Sequence, residues 1–160
     1  NAFAYTDSVM GAIVREYHKL PRWKNTLIVF VPDHVGGYKE NLNDHDRSRY
    51  QIPLILAGGA ISRPMKVGII GSQHDIAATL LGQLGVEHRE FTFSKNMMSD
   101  ATPKFAFFAV NDAFGIVSEE NSLIYDNRAK RIVYEKGEKG FNLKRGQAYL
   151  QKIYDDLAKK

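Results

Sequence analysis

The residues with the plainest capacity for chemistry are the adjacent Asp33 and His34, which follow the apolar run Leu27-Ile28-Val29-Phe30-Val31-Pro32 in a sequence of 160 residues. A carboxylate oxygen and an imidazole nitrogen form a mixed donor set suited to Zn²⁺ or Mn²⁺. Successive strand side chains point to opposite faces, so two neighbours can serve one ion only where the backbone leaves strand geometry. The exit of a strand gives that freedom, and Gly36 and Gly37 let the chain turn away sharply. On spacing alone two readings stay open: a ligand pair, or an Asp33 that caps a turn with His34 as a loop residue.

The elements that must position this pair follow from apolar spacing. Residues 6–20 put Val9, Met10, Ile13, Val14 and Tyr17 on one helical face, with Thr6 or Asp7 as cap and Pro21 as stop. Residues 27–31 are continuously apolar and β-branched, which predicts a strand covered on both faces. A long polar loop runs to Tyr50, and loops of that length at a strand end are commonly functional. A second strand over 52–57 leads into Gly58-Gly59. Ser72 is placed to cap a helix over 73–84, with Ile76, Leu80, Leu81 and Leu84 inward and Gly85 as terminator.

From Phe105 the texture changes to short strands over 105–110, 114–118, 122–125 and 131–134, with Asn111-Asp112 and Asp126-Asn127 as turns. An antiparallel meander is expected. A closing helix over 143–157 aligns Leu143, Ala148, Leu150, Ile153, Tyr154 and Leu157 along one side. The expected organisation is an α/β core piece over 1–90 and an antiparallel subregion with a terminal helix over 91–160.

Composition narrows the class. The chain has 44% hydrophobic and 25% charged residues, enough for one core of ordinary size, and no apolar run of about 20 residues that would span a bilayer. Net charge is +4, but the basic residues are spread along the chain, so a solvated surface is expected and no nucleic-acid partner. The absence of cysteine excludes disulfides and thiolate metal sites. The opening Asn-Ala-Phe-Ala-Tyr-Thr-Asp has no initiator Met, basic segment or apolar segment, and reads as a cut from a longer protein.

Three motifs in order resemble the alkaline phosphatase superfamily, especially its sulfatase and lipoteichoic-acid-synthase-like branch. They are Asn25-Thr26-Leu27 through Asp33-His34-Val35-Gly36, then Arg49-Tyr50-Gln51-Ile52-Pro53, then Ser72-Gln73-His74-Asp75-Ile76 through Leu81. The segment from Phe105 to Asp126 is similar to the C-terminal part of such proteins. Pro32 stands where a small residue is frequent, and Val35 between His34 and Gly36 is closer to the lipoteichoic-acid-synthase-like form than to ordinary sulfatases.

The resemblance implies a three-layer α/β sandwich fragment with a C-terminal meander and closing helix. It implies two-step transfer at phosphate or sulfate esters by a metal-bound Thr, Ser or formylglycine nucleophile, with phosphoryl transfer favoured over sulfate hydrolysis. Asp33 and His34 would be metal ligands. The nucleophile is expected upstream, no catalytic residue lies within this fragment, and the fragment alone would be inactive.

His74 is a candidate additional metal ligand, the alternative being a solvent-facing residue of the first helical turn. His45 and the planar forks of Arg47 and Arg49 are candidate contacts for an anionic ester. Asp75 reads as a helix-start residue favoured by the dipole. The expected metal is Mn²⁺ or Zn²⁺ for phosphoglycerol or phosphoethanolamine transfer, and Ca²⁺ for a sulfatase. The expected substrate is a phosphate or sulfate ester, lipid-linked or glycan. The full-length protein is expected outside the cytoplasm, anchored in the membrane upstream. The rival class is a noncatalytic envelope- or carbohydrate-binding module on the same scaffold.

Overall fold

The computed structural model describes residues 2–35 and 45–159, and the chain divides into two compact units. The first comprises Asn1–Gly36 and Gln51–Val67; the second comprises Gly37–Tyr50 and Gly68–Lys160. The second helix, expected with the core piece over 1–90, therefore shares a unit with the meander.

In the first unit, α1 (Ala2–His18) precedes a 3-10 turn (Pro21–Asn25), then β1 (Ile28–Phe30) and β2 (Ile55–Ala57). Helix α1 starts earlier than the sequence suggests, and Pro21 opens the 3-10 turn instead of ending the helix, since its fixed φ suits a first helical position. The strands pair antiparallel, Ile28 opposite Ala57 and Phe30 opposite Ile55. Expected to be covered on both faces, β1 is half-buried, and Ile55 and Leu56 of β2 are exposed. The start of β1 is fixed by a close backbone approach. Gly58 has φ +122°, and a Cβ there would lie 2.2 Å from the Thr26 carbonyl oxygen. Only glycine fits.

The second unit contains a 3-10 turn (Arg47–Tyr50), α2 (Asp75–Gln83), β3 (Ala106–Val110), β4 (Ala113–Val117), β5 (Asn121–Asp126), β6 (Arg131–Gly137) and α3 (Leu143–Leu157). The four strands form the expected meander in sequence order. Val110 pairs with Ala113 across a two-residue turn in which Asp112 adopts φ +56°, a conformation that Asp tolerates. Asp126 Oδ1 accepts the N–H groups of Arg128 and Ala129 and so closes the β5–β6 turn.

The core of this unit is Phe105, Phe107, Phe114, Ile116 and Leu123, covered by Leu143, Tyr149, Leu150 and Ile153 of α3. Helix α3 has the expected bounds but a different inward face. Ala148, Tyr154 and Leu157 are exposed. The inward stripe runs through positions 143, 146, 150 and 153, and its second member is a glycine that an apolar-spacing argument skips.

Helix α2 buries Asp75, Ala78 and Thr79, while Ile76, Leu80 and Leu81 are half-buried and Leu84 is exposed. Its buried face is small and polar because it binds backbone. Ser94 Oγ accepts the N–H of Ala78 in the first turn, and Thr79 Oγ accepts the N–H of Met97. Ser72 does not cap with its hydroxyl. That group accepts the Phe107 N–H at 2.7 Å and donates to the Phe107 carbonyl at 3.1 Å, while Asp75 reaches back to the Ser72 N–H at 2.8 Å, half of a capping box.

Gly146 is the tightest point of the α3 face, where an added Cβ would lie 2.2 Å from Cε2 of the fully buried Phe114. Gly146→Ala gains about 1 kcal/mol of helix propensity but forces overpacking that costs about 1–3 kcal/mol. The expected outcome is net destabilisation of the second unit, seen as a lower urea midpoint and faster amide exchange in α3. A raised midpoint would contradict this packing.

Candidate metal centre

Asp33 and His34 lie three and four residues beyond the end of β1, where the alternation of strand side chains no longer separates them. The His34 N–H donates to Asp33 Oδ1 at 2.8 Å, and His34 Nε2 lies 3.4 Å from Asp33 Oδ2. His34 Nδ1 is 3.2 Å from the carbonyl oxygen of its neighbour Val35. Both side chains are open to solvent, Asp33 at 86% and His34 at 76% exposure. One Asp33 oxygen thus holds the backbone of the next residue, and the other faces the His34 ring.

As a donor set the pair suits part of a divalent-cation site. Carboxylate and imidazole are the right ligand types, and the contacts to be displaced are short-range and solvent-exposed. Two ligands do not complete a coordination shell, and among the described residues no group of three or more His, Cys, Asp or Glu is gathered. Gly36, Gly37 and Asp44 lie outside the described residues.

The other candidates belong to the second unit. His45 is exposed, and Arg47 and Arg49 sit in the 3-10 turn with Arg49 exposed. Asp46 holds that turn by accepting from the Ser48 N–H and hydroxyl through Oδ1, at 2.9 and 2.8 Å. Tyr50 stacks on Phe108 at 4.1 Å between ring centroids and ties the turn to the meander.

His74 is exposed but engaged. Its Nε2 lies 2.9 Å from the Tyr149 hydroxyl and 3.7 Å from Asp75 Oδ1. The Tyr149 hydroxyl has one proton, and it donates that to the Phe93 carbonyl at 3.0 Å. The contact with His74 is then satisfied only if Nε2 carries a hydrogen and donates, which the nearby Asp75 carboxylate also favours. A neutral His74 therefore keeps its lone pair on Nδ1, and Nε2 is committed within the fold.

Beneath His74, Asp75 is fully buried and accepts from the Ser72 N–H, the Lys95 N–H at 3.0 Å and the Lys95 ammonium. Burial pushes the Lys95 ammonium below its ordinary range, opposed by the hydrogen bond and charge of Asp75. Burial also lowers His74. The sequence gives no local sign of the Asp75–Lys95 pair, because its members are twenty residues apart. Nor does it mark Tyr149, which reads as one more residue of an amphipathic helix.

Burial, aided by the charge of Asp75, raises the Tyr149 phenol to about 12. An acid raised above its unfolded value of about 10 binds its proton more tightly when folded. Its contribution to stability is full below pH 10 and is lost as pH rises from about 10 to about 12. Tyr149→Phe should remove that part of the alkaline loss in denaturant midpoints measured from pH 8 to 12. Identical pH profiles for the two proteins would contradict the assignment.

Comparison with known proteins covers the segment that carries Asp33 and His34. The sulfatase family model matches residues 1–86. Over 87 residues the chain is 29% identical to Arylsulfatase K of Mus musculus and 28% identical to Arylsulfatase K of Rattus norvegicus, covering 52% of this chain and 16% of either relative. In fold it is similar to the crystal structure of a protein in the alkaline phosphatase superfamily from Vibrio parahaemolyticus. That match has a TM-score of 0.73 and 19% identity, over 95% of this chain and 40% of the other. With its family model spanning more than half of the 160 residues, this chain belongs to the sulfatase family and carries an alkaline-phosphatase-superfamily fold.

Proposed function

We propose that the chain is part of an enzyme that hydrolyses sulfuric esters with a bound divalent cation, and that Asp33 and His34 are two of the ligands. The observation that carries this reading is the convergence of a carboxylate and an imidazole just beyond β1, within the segment matched by the sulfatase family. The similarity to Arylsulfatase K favours a sulfuric over a phosphoric ester.

When bound, a divalent cation such as Ca²⁺ neutralises charge on the ester oxygens and lowers the pKa of a coordinated nucleophile. In this reading Asp33 and His34 supply two donors, and the nucleophile and remaining ligands come from other parts of the parent protein. Arg47 and Arg49 are the groups we assign to the anionic ester, since a guanidinium presents a planar fork to sulfate oxygens, and His45 is the neighbouring substrate contact. His74 is left to its contact with Tyr149. Action outside the cytoplasm, with membrane attachment elsewhere in the parent protein, is part of the same proposal. Among the described residues no helix is long and apolar enough to cross a membrane.

One observation favours a second reading, phosphoglycerol or phosphoethanolamine transfer with Mn²⁺ or Zn²⁺: Val35 separates His34 from Gly36, as in the lipoteichoic-acid-synthase-like pattern. The two readings divide on substrate. The parent protein should turn over an aryl sulfate such as p-nitrocatechol sulfate in the presence of a divalent cation. Losing an outer-shell partner of a metal ligand already costs about 10–100-fold, so Asp33→Asn or His34→Ala should reduce turnover by at least that much while circular dichroism stays unchanged. Undiminished turnover in both variants would remove the pair from the site. Turnover of a phosphate ester with none of the sulfate would install the second reading.

A further inference from the structure

The second unit contains a concavity of about 430 Å³ where the β3–β4 and β5–β6 turns approach α3. That volume lies within the range of small-ligand sites. Phe114 and Leu150 supply its apolar lining, and Asp112 and Asn127 stand on the two turns. The turns are tied together, since the Asn127 N–H donates to the Asp112 carbonyl at 2.7 Å. Across from them α3 contributes Gln147, Gln151 and Tyr154, which with Leu150 recur at the spacing of one helical face.

The side chains of Asp112, Asn127 and Gln147 have no hydrogen-bond partner among the described residues, and Gln151 donates only to Asp155, at 2.8 Å. Charge then narrows the ligand. No Lys or Arg lines the concavity, and its one ionised group is the Asp112 carboxylate, so an anion is disfavoured. A single carboxylate falls short of the oxygen cage that a hard cation needs. Carboxamides both donate and accept, and a carboxylate accepts from hydroxyls, which matches a neutral molecule rich in hydroxyl groups. The Tyr154 ring, 56% exposed, offers a flat apolar surface beside them.

We propose that this concavity binds a neutral sugar unit of a glycan, held by Asp112, Asn127 and Gln147 and stacked against Tyr154. The proposal does not rest on the sulfuric-ester reading, because none of these residues has a part in it.

The test is an NMR titration of the 160-residue chain with cellobiose, lactose and chitobiose, following the carboxamide signals of Asn127 and Gln147. Sodium sulfate and a neutral tripeptide serve as comparisons. At least one disaccharide should give saturable shifts at both residues. Gln147→Ala and Tyr154→Ala, both at exposed positions, should each weaken that binding by about tenfold or more while leaving the backbone spectrum in place. The proposal is overturned if none of the three sugars shifts these signals. It is equally overturned if both variants bind as the parent chain does, or if the signals respond to sulfate or to the tripeptide and not to sugar.

Discussion

A carboxylate shut away from water has to be met by donors on every side, and Asp75 is. Both of its oxygens are used: one takes the Lys95 N–H and faces His74, and the other takes the Ser72 N–H and the Lys95 ammonium. This organises more than a pair of charges. Ser72 is bonded to Phe107 on β3, Lys95 lies over the Phe105 ring at 4.3 Å, and Tyr149 of α3 meets His74. Helix α2, the segment after it, the first strand of the meander and the closing helix therefore share one electrostatic centre. Removing one member of such a buried pair leaves the other unpaired, at a cost of about 3–5 kcal/mol. The irregular stretch between α2 and β3 is held by its own turns and, at Lys95 and Met97, by Asp75 and Thr79 of α2.

The first unit is built on the opposite principle. Its strands are short and partly exposed, and Asp33 and His34 are open to solvent instead of enclosed. Asp75, by contrast, uses both oxygens for hydrogen bonds inside the fold. The two Asp-His neighbours in the chain thus divide by environment. His74-Asp75 is tied into the fold, and Asp33-His34 is open to solvent.

Much of this was readable from the sequence where local rules suffice. The meander follows from turn residues at fixed intervals, and α3 from its period. The strand that precedes Asp33-His34 is marked by its continuous apolar run. The ordered motifs from Asn25 to Leu81 pointed to the alkaline phosphatase superfamily, and the sulfatase family match covers them. What escaped was decided by partners distant in sequence. Ser72 was expected to cap α2 but is held by Phe107, thirty-five residues on. The inward face of α3 turns about Gly146, whose value lies in having no side chain. The buried face of α2 is polar because Asp75 and Thr79 accept the N–H groups of Lys95 and Met97, so counting apolar residues found only its half-buried flank.

Everything proposed for the first unit depends on Asp33 and His34 holding a divalent cation in the parent protein. The most direct test is the metal content of that protein, purified as wild type and as the Asp33→Asn, His34→Ala double variant and measured by inductively coupled plasma mass spectrometry. A tightly held divalent cation is expected in the wild type and is lost from the double variant, with the fold of both preserved. Equal metal content in the two proteins would contradict it.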